Sequence, residues 1–232
     1  MTERKKYNGT YTDHSGTTVV IVENDFKNVY TEIDGVKFSG SEFSDLSVDD
    51  KTKYTDQQLE RFTWSKTPVY NSETVREELC NCTFEILVPQ LVIDKITDAE
   101  FYSDLKIEYI LGNADPDGGI EDERISVSLT IEGKLYNGTG DLMETALDDI
   151  HSQFGERYHF KNCYGCLYGD YSVYGQSGFG TMLCFASQKE KYKKVTNKQE
   201  YMDLETDETT TVQEIYCCNQ YEIRRAGAGY RG

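Results

Sequence analysis

Ile125, Val127, Leu129 and Ile131 alternate without a break with Ser126, Ser128 and Thr130. Side chains two apart share one face of a strand, so this stretch has one apolar and one polar face. The pattern recurs at Phe84, Ile86 and Val88, and again at Leu105, Ile107, Tyr109 and Leu111. Antiparallel strands with one solvated face read this way, whereas doubly covered parallel strands read as continuous apolar runs. Upstream, residues 7–12 and 17–23 flank the turn Asp13-His14-Ser15-Gly16. Residues 29–33 and 36–39 flank Asp34-Gly35, a strong hairpin signal. Residues 45–60 are polar and read as a surface excursion, with a short helix near 56–62.

One stretch changes period. Met143, Ala146, Leu147, Ile150 and Phe154 form a single apolar stripe at helical spacing. Asp141 followed by Glu144 resembles a capping box, and Gly155 stands where a helix would end. Such a stripe needs cover, and the sheet face supplies it. Beyond it, 158–160 and 209–216 read as strands, 169–180 as loop, and 188–194 and 197–204 as short helices. The fold class expected is therefore a β-rich α+β protein. A mainly antiparallel sheet or sandwich with one main helix fills residues 1–155, and a cysteine-bound module over 156–232 packs on it, the alternative being a single domain. A chain of 232 residues buries roughly 70–75% of its unfolded surface, so size alone demands no metal or disulfide.

The last third carries the sharpest chemical pattern. Cys163-Tyr-Gly-Cys166 has the spacing of a metal knuckle, Cys184 follows, and Cys217 and Cys218 stand near the end. Zinc takes four tetrahedral ligands, and two thiolates separated by two residues reach one ion from a tight turn. Gly165 between them offers backbone freedom. The pattern predicts a structural Zn2+ site from Cys163, Cys166, Cys184 and either Cys217 or Cys218. Buried free thiols are the plainer reading. A redox dithiol is disfavoured, because Leu167-Tyr-Gly-Asp-Tyr-Ser is poor material for the helix such a pair prefers. His159 is a weaker candidate ligand. Cys80 and Cys82 read as buried thiols, and the acidic loop 115–123 as a solvated hairpin loop, since it lacks the calcium-loop order.

Charge and motifs exclude several functions. The formal net charge of −17 argues against direct nucleic-acid binding, which needs Lys and Arg clusters, and against an anionic membrane surface. It suits solubility and attraction to a basic protein. The charged opening Met1-Thr-Glu-Arg-Lys-Lys carries no secretory pattern, and no apolar run approaches the ~18 residues of a membrane span. A cytoplasmic location is expected. There is no H-E-x-x-H, P-loop or dinucleotide fingerprint, and Gly175-Gln-Ser177-Gly178-Phe179 misses the nucleophile elbow by one residue.

Several blocks together resemble a bacterial protein family of unknown function. They are Asn162-Cys-x-x-Cys166-Leu-Tyr-x-Asp170-Tyr-Ser-x-Tyr-Gly175, Phe179-Gly-Thr-Met-x-Cys184-Phe185, Gln213-Glu-x-Tyr-x-Cys218 and the closing Gly229-Tyr-Arg-Gly232. Upstream, Asp34-Gly-Val-x-Phe-x-Gly40, Leu79-Cys-x-Cys82 and Gly118-Gly-Ile-x-x-Glu-Arg124 match earlier blocks. The resemblance implies Cys218 as the fourth ligand, an aliphatic residue being usual where Cys217 stands. Val173 and Asn219 stand where that pattern has proline. It implies no activity. The functional expectation is a non-enzymatic, cytoplasmic protein-binding protein, in concrete form an immunity or antitoxin-like protein neutralising a basic toxin. The alternatives are a metal- or thiol-dependent enzyme using the 159–184 region, and a subunit of a larger phage or secretion assembly.

Overall fold

The computed structural model of the chain describes residues 4–69, 71–173, 179–204, 209–225, 227 and 230. Two hairpins open it: β1 (Lys5–Asp13) with β2 (Gly16–Asn24), and β3 (Val29–Ile33) with β4 (Val36–Gly40). Asp34 and Gly35 take φ of 48° and 81°, the left-handed pair that a two-residue hairpin turn requires. A 3₁₀ turn at Lys51–Lys53 and the short α1 (Asp56–Leu59) occupy the polar excursion. Thr55 caps α1 in a reciprocal capping box with Gln58. The hairpin β5 (Trp64–Pro68) and β6 (Val75–Leu79) follows, and the sequence gives little sign of it.

Next come three long antiparallel strands and a fourth. They are β7 (Cys82–Asp94), β8 (Ala99–Leu111), β9 (Glu123–Ile131) and β10 (Lys134–Gly140). The main sheet runs β10-β9-β8-β7-β1-β2-β3-β4. The alternating residues of β7, β8 and β9 turn inward as expected. Ser47 bridges Ser39 of β4 to Glu78 of β6, and the Gly119 amide donates to the Lys66 carbonyl of β5 at 3.2 Å. The sheet thus curls round an aromatic centre. Phe43 stacks on Tyr109 at 4.6 Å and meets Phe84 at 5.1 Å and Phe179 at 5.5 Å.

The main helix, α2 (Met143–Phe154), buries the predicted stripe against β9 and β10. A Cβ on Gly138 would fall 2.0 Å from the Ala146 carbonyl, so glycine lets helix and strand touch. The cap differs from expectation. Leu142 takes the N-cap position with no side-chain bond, one residue past Asp141, whereas Gly155 closes the helix at φ 56° as predicted.

The chain then returns to the main sheet as β11 (Tyr158–Phe160), beside β7. β7 therefore shares one edge between two strands. Residues 83–86 pair with β1 and residues 92–94 with β11. A smaller sheet is made by β12 (Gly169–Asp170), β13 (Thr181–Cys184) and β14 (Thr210–Gln213). Two short helices, α3 (Lys189–Tyr192) and α4 (Lys198–Met202), lie between β13 and β14. The architecture is β-rich, antiparallel and sparing in helix, as expected of an α+β chain. The near-miss nucleophile elbow and most of the closing Gly-Tyr-Arg-Gly motif lie outside the described residues.

Candidate functional site: a convergence of cysteines

The turn after β11 is built by the main chain. The Cys166 amide donates to the Cys163 carbonyl at 3.2 Å, and the Gly169 amide to the Cys166 carbonyl at 3.2 Å. Two later segments clamp it. On one side the Cys163 amide bonds the Tyr216 carbonyl at 2.6 Å, and the Tyr164 amide bonds that of Glu214 at 3.1 Å. On the other, the Leu167 amide bonds the Glu222 carbonyl at 2.7 Å, and the Arg224 amide bonds that of Gly165 at 3.0 Å. β12 sets Gly169 opposite Cys184 of β13. Three separate segments thereby deliver cysteines to one neighbourhood.

Cys163 and Cys166 are buried, Cys184 and Cys218 half-buried, and Cys217 exposed. Burial pushes the Cys163 thiol up, and the nearby thiols of Cys166, Cys184, Cys218 and Cys217 push the same way. Burial also raises Cys184, which feels Cys166 and Cys218. Burial raises Cys217 as well, which feels Cys218 and Cys166, and its thiol turns towards the Cys218 carbonyl at 3.8 Å. Among the described residues, no three His, Cys, Asp or Glu side chains are grouped as a metal site. What the structure adds to the spacing is that the segments bearing these cysteines pack together.

Gly165 is needed for a different reason from the one its position implied. A Cβ there would fall 2.1 Å from the Phe160 carbonyl and 2.9 Å from His159 Nε2. Close approach, not an unusual φ, demands glycine. His159 Nε2 lies 2.9 Å from the Gly165 carbonyl, so that nitrogen carries the proton. His159 Nδ1 is then an acceptor, 3.3 Å from His151 Nε2. Burial lowers His159 to about 4, and the Gly165 bond pulls the other way. Both ring nitrogens are engaged in positioning the turn against α2, where Tyr164 also donates to Asp148 at 2.6 Å.

A buried polar seam, which sequence reasoning missed, ties this unit to the main sheet. Between its two pairing partners β7 presents Gln90. That side chain accepts from Asn162 at 2.7 Å and donates to the Ile215 carbonyl at 3.3 Å. Asn162 Oδ1 takes the Gly165 amide at 3.0 Å. Asn24 of β2 donates to Gln213 at 2.6 Å. Inside the unit Asp170 accepts from its neighbour's amide at 2.8 Å and from the Tyr192 hydroxyl at 2.5 Å. Glu214 accepts from Tyr171. Arg224 donates to the carbonyls of Cys166, Leu167 and Gly169, closing the far side of the turn. The cysteine motifs hold several of these residues, Asn162 directly before Cys163 among them, so the available signal was the polar residues within those motifs.

Cys80 and Cys82 are buried at the start of β7, with Cys82 beside Tyr11, and burial raises both. Among the described residues no helix is long and apolar enough to cross a membrane.

The model of a family of unknown function, DUF6304, matches residues 5–169. The matched stretch includes Cys163 and Cys166 and ends before Cys184. No curated protein and no solved structure matches the chain.

Proposed function

This chain belongs to DUF6304, a family of unknown function, and from that premise we propose that it is a non-enzymatic, cytoplasmic protein-binding protein with one structural Zn2+. Cys163, Cys166, Cys184 and Cys218 hold the ion and staple residues 156–232. The observation that carries the reading is where this unit spends its polar groups. His159, Asp170, Glu214 and Arg224 are the groups a catalyst would present to a substrate. Here they bond carbonyls, an amide and tyrosine hydroxyls of the unit itself. The cysteines fit a closed site: a C-x-x-C turn and two returning segments supply the four ligands of structural zinc, leaving no open position. Metal binding would replace the thiol protons and draw the side chains onto one centre.

The test is metal content by native mass spectrometry with a parallel thiol titration. One zinc per chain, with four thiols protected and Cys217 reactive, is the expected result. A metal-free chain with reactive Cys163 would defeat it.

The partner class follows from charge. A surface carrying a net −17 attracts a basic protein and speeds its encounter. The concrete form is an immunity or antitoxin-like protein that neutralises a basic toxin. Co-expression with the product of the neighbouring gene should yield a complex that salt weakens. If none forms at low ionic strength, that assignment is lost.

A further inference from the structure

Resting on the protein-binding reading, we infer where and how the partner is held: a slot between β2 and β3 accepts an extended segment of a basic protein as an added strand. β2 pairs with β1 along its whole length, but with β3 only at Glu23–Tyr30 and Asn24–Val29. Past those two pairs the strands diverge. Thr31 reaches across with its hydroxyl, 3.2 Å from the Ile21 carbonyl, where an amide would serve in a continuous ladder.

The hairpin turns fix which groups face the slot. His14-Ser15 is a two-residue loop, so Asp13 and Gly16 exchange ladder bonds and every second residue after Gly16 turns its amide away from β1. Thr17 and Val19 therefore direct their N–H and C=O into the slot, and Ile21 its N–H, the Ile21 carbonyl being taken by the Thr31 hydroxyl. By the same parity about Asp34-Gly35, Glu32 faces it from β3. Five residues of β2 offer a span of roughly 17 Å at about 3.4 Å each.

The slot is built to stay open. At one end β2 and β3 are joined by their connecting turn. At the other, Arg61 bonds Thr18 at 3.2 Å and pairs with Asp13 of β1 and Asp34 of the second hairpin. The cleft between has a volume of about 650 Å³. Val19 and Ile21 stand 81% and 51% exposed at its wall. Soluble proteins ordinarily blunt such an edge with charge, proline or a bulge. An open ladder beside exposed apolar residues is the arrangement that β-strand addition uses.

The occupant is chosen on two grounds. An extended backbone satisfies the ladder, and apolar side chains at alternate positions cover Val19 and Ile21. The slot's own charges balance, with Arg4 and Lys6 both held by Glu23 at 3.1 and 2.8 Å. Selection by charge then comes from the whole chain, whose −17 favours a basic segment.

The probe is a blocked eight-residue peptide of alternating lysine and valine, added to the full-length protein and followed by amide hydrogen exchange. Expected are protection at Val19, Ile21 and Glu32, and affinity at least tenfold above that of the glutamate–valine counterpart at low salt. Affinity should also fall at least tenfold when the peptide's alternate amides are N-methylated. Val19→Lys, at a solvent-facing position, should fold normally and lose the same tenfold. Peptide binding without protection at those amides would overturn the proposal. So would protection that grows with protein concentration alone, which would assign the slot to a second copy. A co-purified basic partner whose binding ignores Val19→Lys would remove the slot and leave the protein-binding reading standing. A slot that takes the peptide while the chain captures no protein would do the reverse.

Discussion

The main sheet and the C-terminal unit bury their interiors by different means. Along β7, β8 and β9 the inward positions are almost wholly apolar, and one contiguous core joins them to α2 and to the Phe43 and Phe179 aromatics. The C-terminal unit has two small clusters of its own, one round Cys166, Phe185 and Tyr192 and one round Cys163, Met182 and Val212. Of the twelve buried polar or charged residues described, six lie there: His159, Asn162, Asp170, Gln188, Gln213 and Glu214. Two of the other six, Asn24 and Gln90, point at it. Apolar burial is non-directional and tolerates adjustment, whereas a buried hydrogen bond holds only at its own geometry. The sheet should therefore stand by itself, and the unit should depend on its staples.

The largest effect tests that division directly. Removing the proposed zinc with a chelator, or replacing Cys184 by serine, should abolish exchange protection across β12, β13 and β14 while β7, β8 and β9 keep theirs. Apparent zinc binding of about 10–16 kcal/mol is coupled to folding in small metal-held units. If both regions lose protection together, the contrast is false and the chain unfolds as one. If neither does, the cysteines are not a staple. The opposite perturbation is Phe43→Ala, which empties the aromatic centre of the sheet. It should cost about 3–5 kcal/mol in urea unfolding. Because Phe43 also packs on Phe179, a loss confined to the large sheet would sharpen the contrast, and a matching loss in the small sheet would blur it.

This difference also governs what could be read from the chain. Strands whose inward residues alternate were legible, and β3 matches its expected bounds because Asp34-Gly35 fixes its end. β10 escaped notice because Tyr136 is the one large side chain that it buries. Its signal was the Glu132-Gly133 turn, both residues at positive φ, directly after the cleanest strand. β5 and β6 are short, with charge at one and three of their five positions, and gain their place through Ser47, a bridge that no local pattern announces. In the C-terminal unit the cysteine spacing was visible, but the partners of Asn162 and Gln213 lie 72 and 189 residues away. Periodicity reports which way a residue faces and is silent on which polar group meets it.

A pH series probes one of those polar contacts. The fold keeps His159 neutral until about pH 4, while in the unfolded chain it takes a proton near its ordinary 6.5. Between those values the unfolded state binds more protons, so stability falls as pH falls from about 6.5 to about 4. The full drop attributable to His159 is about 3 kcal/mol. His159→Gln should lack that component, and the difference between the two proteins cancels the acid sensitivity of the proposed zinc site. Equal slopes would mean that the imidazole is more hydrated than its burial implies.

The smallest effect separates the seam from the staple. Asn162→Ala removes the acceptor of the Gly165 amide and the donor to Gln90, and leaves both partners buried. An orphaned buried group costs about 1–3 kcal/mol. Gln90→Ala removes the other side, together with its bond to the Ile215 carbonyl. Because the two share a bond, the double variant should lose less than the sum, with a coupling of at least about 0.5 kcal/mol. The readout that matters is which region responds. Asn162 lies beside Cys163 but reaches into the gap in β7, so the seam should transmit the loss to both sheets with the proposed zinc still bound. Additive costs, or a loss limited to the small sheet, would show that the C-terminal unit is held to the sheet by its apolar contacts, and the directional character assigned to that junction would be wrong.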